Sequence, residues 1–354
     1  MAHNLNIRNG KASMMYVGEE LWHGLGTELQ EPATAEEAIK AANLDWKVVK
    51  RPICTVCNGS VQAIAGKAAL MREDLDGESD CPIFGIVSDS YTPLQNCEAF
   101  SFFDDIVGQK TAIYHTAGAL GKGERLWVLA RLPGEIRIAG DDITHKYLLL
   151  SYSHGGAGSV QITFAPVRLV CQNTLTLALN QGPMLRISHY SDLKARLRQA
   201  ERLLGLVHRR YAEIEETFKS MAKVQLDDAK LDRYLHAVFP DPPPARQGRR
   251  APSVDLPPTA WSIEEGDCQR AQDPVDNDRD WARYFFRHGK GNEMPGVRGT
   301  LWAAYNAVAE LTDHRQTGLN DEWRLTSAWF GEGYQIKARA LAVAVVSLKE
   351  YLDG

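Results

Sequence analysis

The chain has 354 residues, 44% hydrophobic and 24% charged, with a formal net charge of −5, which allows two or three domains and a sizeable core. The acidic balance excludes a histone-like coat, so any contact with phosphate must come from a local basic surface. No apolar run approaches the ~18 residues of a membrane span, and MAHNLNIRNGKAS lacks a signal core, so a cytoplasmic protein with no membrane partner is expected.

Near the start, Trp22-His23-Gly24-Leu25-Gly26 reads as an aromatic turn anchored in the core. Thr34 followed three residues later by Glu37 is a capping box opening a helix to about Asn43. Three strands follow, Trp46 to Cys57, Ser60 to Met71 and Pro82 to Tyr91, and then a helix from Cys97 to Val107 with Phe100 and Phe103 on one face. Asn58-Gly59 fits a type I′ hairpin turn. It sits beside Cys54 and Cys57, whose CxxC spacing lacks the second pair that a closed zinc site needs; no metal is expected. The other cysteines, Cys81, Cys97, Cys171 and Cys268, are scattered, which disfavours a disulfide framework.

A second β-rich block runs through Lys110 to Ala119, Leu126 to Leu132 and Glu135 to Ala139. Its GALGKG stretch has glycine where a phosphate-binding loop needs Ser or Thr, so it reads as a hairpin turn. The central stretch is a hairpin, Tyr147 to Tyr152 with Val160 to Phe164, joined by His154-Gly155-Gly156-Ala157-Gly158. Pro166 should end a strand, and Arg168 then stands inside the apolar run VRLVC. A buried guanidinium needs partners, and Gln172, Asn173 and Thr174 offer oxygens. His154, Arg168 and Asn173 therefore form either a structural lock or a ligand site, and both readings stay open.

From Asp192 a long helix carries a heptad seam, Leu193, Leu197, Ala200, Leu204, Val207, Tyr211, Ile214, Phe218 and Met221, suited to a partner in the same chain or in a homo-oligomer. Lys194, Arg196, Arg198, Arg202, Arg209 and Arg210 gather off the seam in its first half, where the helix dipole disfavours cations. Seven prolines between Pro240 and Pro258 mark a linker. Helices over 281–286, 300–311 and 334–351 follow in an aromatic-rich segment, where Arg298, Lys337 and Arg339 could join exposed rings in a surface for bases. The expected architecture is α+β: an antiparallel β-rich body over 1–185, a long amphipathic and a short helix over 186–239, a linker over 240–262, and a helical domain over 263–354.

The pattern SYSHGGAGSVQITFAPVRLVCQNTLTLAL, with MMYVGEELWHGLGTEL before it and GTLWAAYNAVAELTDHR and SAWFGEGYQIKARAL after it, resembles the phage/plasmid-like family called domain of unknown function 932. The resemblance spans nearly the whole chain. It implies an origin in phages, plasmids or integrated elements and brings no catalytic residues.

HExxH, GxSxG, a dinucleotide GxGxxG and a Walker A motif are all missing, which demotes the common cofactor enzymes; no cofactor is expected. Cys171 with His154 makes a poor nucleophilic pair, because cysteine in an apolar run usually packs as a small hydrophobe. Three functions remain. The weakest is a nuclease or nucleotide-modifying enzyme using carboxylates such as Asp104 and Asp105, against which stands that adjacent acids on a helix point about 100° apart. The first is binding of single-stranded DNA or RNA, as in Rad52-like strand annealing, with the six basic residues on phosphates and aromatics on bases. The order helix, three strands, helix is similar to the core of such proteins. The alternative is a non-enzymatic interaction protein that inhibits or modulates a host defence or replication component.

Overall fold

The computed structural model describes residues 5–18, 25–31, 33–77, 81–107, 113–156, 160–168, 170, 185–187, 209–242, 261–314 and 331–353. Its fold is α+β. The large sheet has eight strands in the order β13 (Leu185–Ile187), β11 (Val160–Phe164), β10 (Ile143–Ser153), β9 (Arg125–Arg137), β8 (Ile113–Leu120), β3 (Met14–Val17) and β4 (Thr27–Leu29), with β12 (Val167–Arg168) pairing β10 as well. All of these pairs are antiparallel except β3 with β4. Residues of β9 alternate between two apolar sets. Leu126, Val128 and Ala130 face the main core, and Trp127 and Leu129 join Leu5, Met14, Tyr147 and Leu149 on the other side. A strand buried on both faces loses the polar alternation of a half-exposed one, which explains the near-continuous run LWVLA.

The central hairpin forms as its residues require, with Leu148 opposite Phe164 and Leu150 opposite Ile162. Pro166 ends β11, and the chain rejoins β10 at once through Val167 and Arg168. The GALGKG stretch ends β8 with Gly118 to Leu120 and opens the β8–β9 turn, with Gly121 and Gly123 at φ 64° and 99°.

The second sheet, β5 (Val48–Cys57), β6 (Ser60–Arg72) and β7 (Gly85–Ser88), is an antiparallel meander flanked by α1 (Ala35–Ala41) and α2 (Asn96–Val107). The Thr34–Glu37 capping box is formed, and Asn58 and Gly59 take the positive φ values, 50° and 79°, of a type I′ turn. Phe100 and Phe103 of α2 are buried.

Among the described residues five more helices follow: α3 (209–223), α4 (Asp228–Val238), α5 (Trp261–His288), α6 (Leu301–His314) and α7 (Glu332–Asp353). The described part of the seam packs within the chain. Tyr211, Ile214, Phe218 and Met221 are buried; Tyr211 meets Phe164 edge-on at 5.0 Å and donates to the Tyr147 carbonyl, while Phe218 lies 4.5 Å from Trp302. Residues on both sides of the 240–262 stretch thus contribute to one core.

Candidate nucleic-acid interface

Arg168 is wholly buried, and all five of its donors are met. Nε and Nη2 donate to the two oxygens of Asp142 at 2.8 and 3.0 Å, Nη1 to Asn292 Oδ1 and the Lys290 carbonyl at 3.1 and 3.2 Å, and Nη2 also to the Gly291 carbonyl at 2.9 Å. Asp142, itself buried, accepts the Trp302 indole N–H at 2.7 Å. Asn292 in turn donates to the carbonyls of Phe285 and Ala303. Strand β12, the β9–β10 turn, the α5–α6 loop and α6 are therefore held at one point. The guanidinium finds its carboxylate 26 residues upstream rather than among Gln172, Asn173 and Thr174, which lie outside the described residues. With every donor used, Arg168 is a structural lock.

His154 belongs elsewhere. Its Nε2 is 2.9 Å from Asn96 Oδ1, and its ring lies among Trp46, Phe84 and Tyr152 at centroid distances of 5.4, 5.8 and 5.5 Å. Arg168 pairs Thr144 at one end of β10, whereas His154 follows its other end. Ten residues of extended chain separate those ends by roughly 30 Å. The two residues therefore do not form the single ligand site that their nearness in sequence suggests.

Of the six basic residues on the long helix, Lys194, Arg196, Arg198 and Arg202 lie outside the described residues. Arg209 and Arg210 open the described part of α3, and Arg210 bridges Glu213 at 2.8 Å. Lys337 does not join a surface. It is buried and bridges Asp313 at 2.6 Å. Trp302 and Tyr305 are core residues as well.

Among the described residues, the exposed large aromatic side chains are on α5. Trp281, Tyr284, Phe285 and His288 follow helical spacing of three and four, so they share one face. Tyr284 is 5.6 Å from Trp281, 5.7 Å from Phe285 and 5.0 Å from His288 between ring centroids. Tyr284 is 53% exposed and Trp281 39%, while Phe285 and the buried Ala282 and Phe286 root the helix in the core. Arg287 stands on the same turn as His288, and Lys290 is exposed just beyond the helix end. Arg287 bridges Asp228 at 3.2 Å with both side chains largely in solvent, 57% and 85% exposed, so that contact is weak and exchangeable. Arg283 is more firmly held, by Asp232 at 2.9 Å and Asp280 at 2.7 Å. Helical spacing alone does not separate this ladder from core aromatics; its signal in the sequence is the alternation of rings with Arg283 and Arg287.

A second polar cluster lies on the large sheet. His145 Nε2 is 3.0 Å from Arg131 Nη2, and His115 packs its ring edge-on against Tyr147 at 5.2 Å. Burial first, then the charges of Arg131 and His145, lowers the His115 pKa to about 4. Burial and Arg131 lower that of His145 also, against the pull of Glu135. A histidine so depressed is a weak base at neutral pH.

The family model described as Domain of unknown function (DUF932) matches residues 83–339, well over half of the chain. The chain belongs to this family. The DUF932 match encloses Asp142, Arg168, Asn292 and Trp302, together with the α5 ladder; α1 and the whole β5–β6 hairpin precede it. No curated protein and no solved structure was found to match the chain. Among the described residues, no helix is long and apolar enough to cross a membrane.

Proposed function

We propose that this DUF932 protein binds single-stranded nucleic acid by stacking bases on the α5 ladder. The supporting observation is the exposure of Tyr284 and Trp281 within a continuous run of ring contacts that ends beside Arg287. Every base has a π-face, so such a ladder accepts any sequence, and cations beside it neutralise the backbone. The order α1, β5, β6, β7, α2, similar to the core of Rad52-like annealing proteins, supports a role in strand annealing. The family resemblance supports a mobile-element origin.

Fluorescence anisotropy with labelled single strands across a salt series tests the reading. Binding should weaken with salt at a logarithmic slope near −1.4 if Arg287 and Lys290 each hold one phosphate, since each contact contributes about −0.7. Tyr284→Ala should weaken affinity roughly 5- to 150-fold, the ~1–3 kcal/mol of one stacked base. Absence of binding at low salt contradicts it.

The alternative is a non-enzymatic protein that engages a host component through the same exposed rings, with Trp281 and Tyr284 as its anchors. Under that reading Tyr284→Ala leaves oligonucleotide binding unchanged, and a stoichiometric protein partner survives nuclease treatment.

A further inference from the structure

Beyond nucleic-acid binding, the β5–β6 hairpin carries its own signal. Strand β7 covers β6 only from Lys67 to Leu70, so outward of Lys67 the sheet is two-stranded, and every residue from Cys54 to Lys67 is exposed. The register places Cys54 opposite Ala63, Thr55 opposite Gln62, Val56 opposite Val61, and Cys57 opposite Ser60. Side chains alternate along a strand, so Cys54, Val56, Val61 and Ala63 make one apolar face, and Thr55, Cys57, Ser60 and Gln62 a polar one. This is the pattern of a hairpin with one buried face. Yet Val56 and Val61 are each 70% exposed. Among the described residues nine large hydrophobic side chains are exposed, and five of them, Val56, Val61, Ile64, Ile83 and Ile86, come from this sheet and the approach to β7.

We infer that the apolar face of this arm packs against the same face of a second copy of the chain. Charge selects that occupant. The fourteen residues from Ile53 to Gly66 contain no Asp, Glu, Lys or Arg, in a chain that is 24% charged. Exposed strands normally carry charges that prevent pairing, and here there are none. Nucleic acid would require cations on the arm, whereas an uncharged face matches an uncharged face. The two valines oppose each other across the hairpin, so a two-fold axis through them brings Val56 and Val61 of one copy onto those of the other, the self-complementary arrangement of an isologous dimer. Isolated two-stranded hairpins are marginal in water, and burial of this face supplies the missing support. Fourteen residues are fewer than the ~20–30 per side of a standard interface, so the pairing is expected in the micromolar range and depends on concentration.

Light scattering of the full chain from low- to high-micromolar concentration tests this. The wild type should reach about twice the 39.4 kDa chain mass. The double variant Val56→Lys/Val61→Lys should remain at single-chain mass with the circular-dichroism spectrum of a folded chain, and Thr55→Lys/Gln62→Lys, on the polar face, should still dimerise. The inference is overturned by a wild type that stays single at every concentration, by a valine variant that still dimerises, or by loss of the dimer in the polar-face variant. It is equally overturned if mass rises only when a short oligothymidylate is added, which would assign the arm to nucleic acid.

Discussion

Removing the guanidinium of Arg168 leaves the Asp142 carboxylate wholly buried without its counter-charge. Breaking a buried pair from one side costs about 3–5 kcal/mol, so Arg168→Met and Asp142→Leu should each lower unfolding stability by that order in denaturant titration. The double variant should lose clearly less than the sum, because neither charge is then left alone. A pairing this buried was only half legible in the sequence. That Arg168 needs a partner follows from one charge in an apolar run, but the partner lies 26 residues away and the remaining acceptors more than 120 residues downstream, and neither distance leaves a local pattern. His115 makes a second prediction at this scale. Its pKa falls from 6.5 in the open chain to about 4 in the fold, so the unfolded state takes up the proton first as pH drops. The stability tied to neutral His115 is present above pH 6.5 and is lost as pH falls toward 4, amounting to roughly 3 kcal/mol. Replacement His115→Phe should flatten that part of the stability-pH profile; an unchanged profile contradicts the assignment.

Elements with local signals formed where the chain announced them. The Thr34–Glu37 box, the Asn58-Gly59 turn and the break at Pro166 each rest on the φ preference or hydrogen-bonding capacity of one or two residues. The heptad seam was legible as a stripe but not in its destination, since an apolar face states only that it needs a cover. Phe218 supplies part of the answer. Its ring fits against Trp302 and Tyr305 and joins α3 to α6, so Phe218→Ala should cost about 3–5 kcal/mol and loosen both helices together in hydrogen exchange. The α5 ladder shows the opposite case. Trp281 and Tyr284 have the spacing of core aromatics, and only the packing of Ala282 and Phe286 inward turns them toward solvent.

At the scale of the molecule, the distribution of charge matters more than its total. An overall −5 repels phosphate, so attraction must be local and short-ranged, within a Debye length of ~10 Å at moderate salt. Under the proposed function the α5 ladder is such a place, with rings for bases and exchangeable cations beside them. Pairing of two arms would place two ladders on one assembly, and linked weak sites gain affinity by effective concentration. The most direct test is ultraviolet crosslinking of the intact protein to a short single strand, followed by mass spectrometry of the crosslinked peptide. The nucleotide should be found on the peptide spanning Trp281 to His288, and crosslinks confined to other segments, or none at low salt, would contradict the assignment.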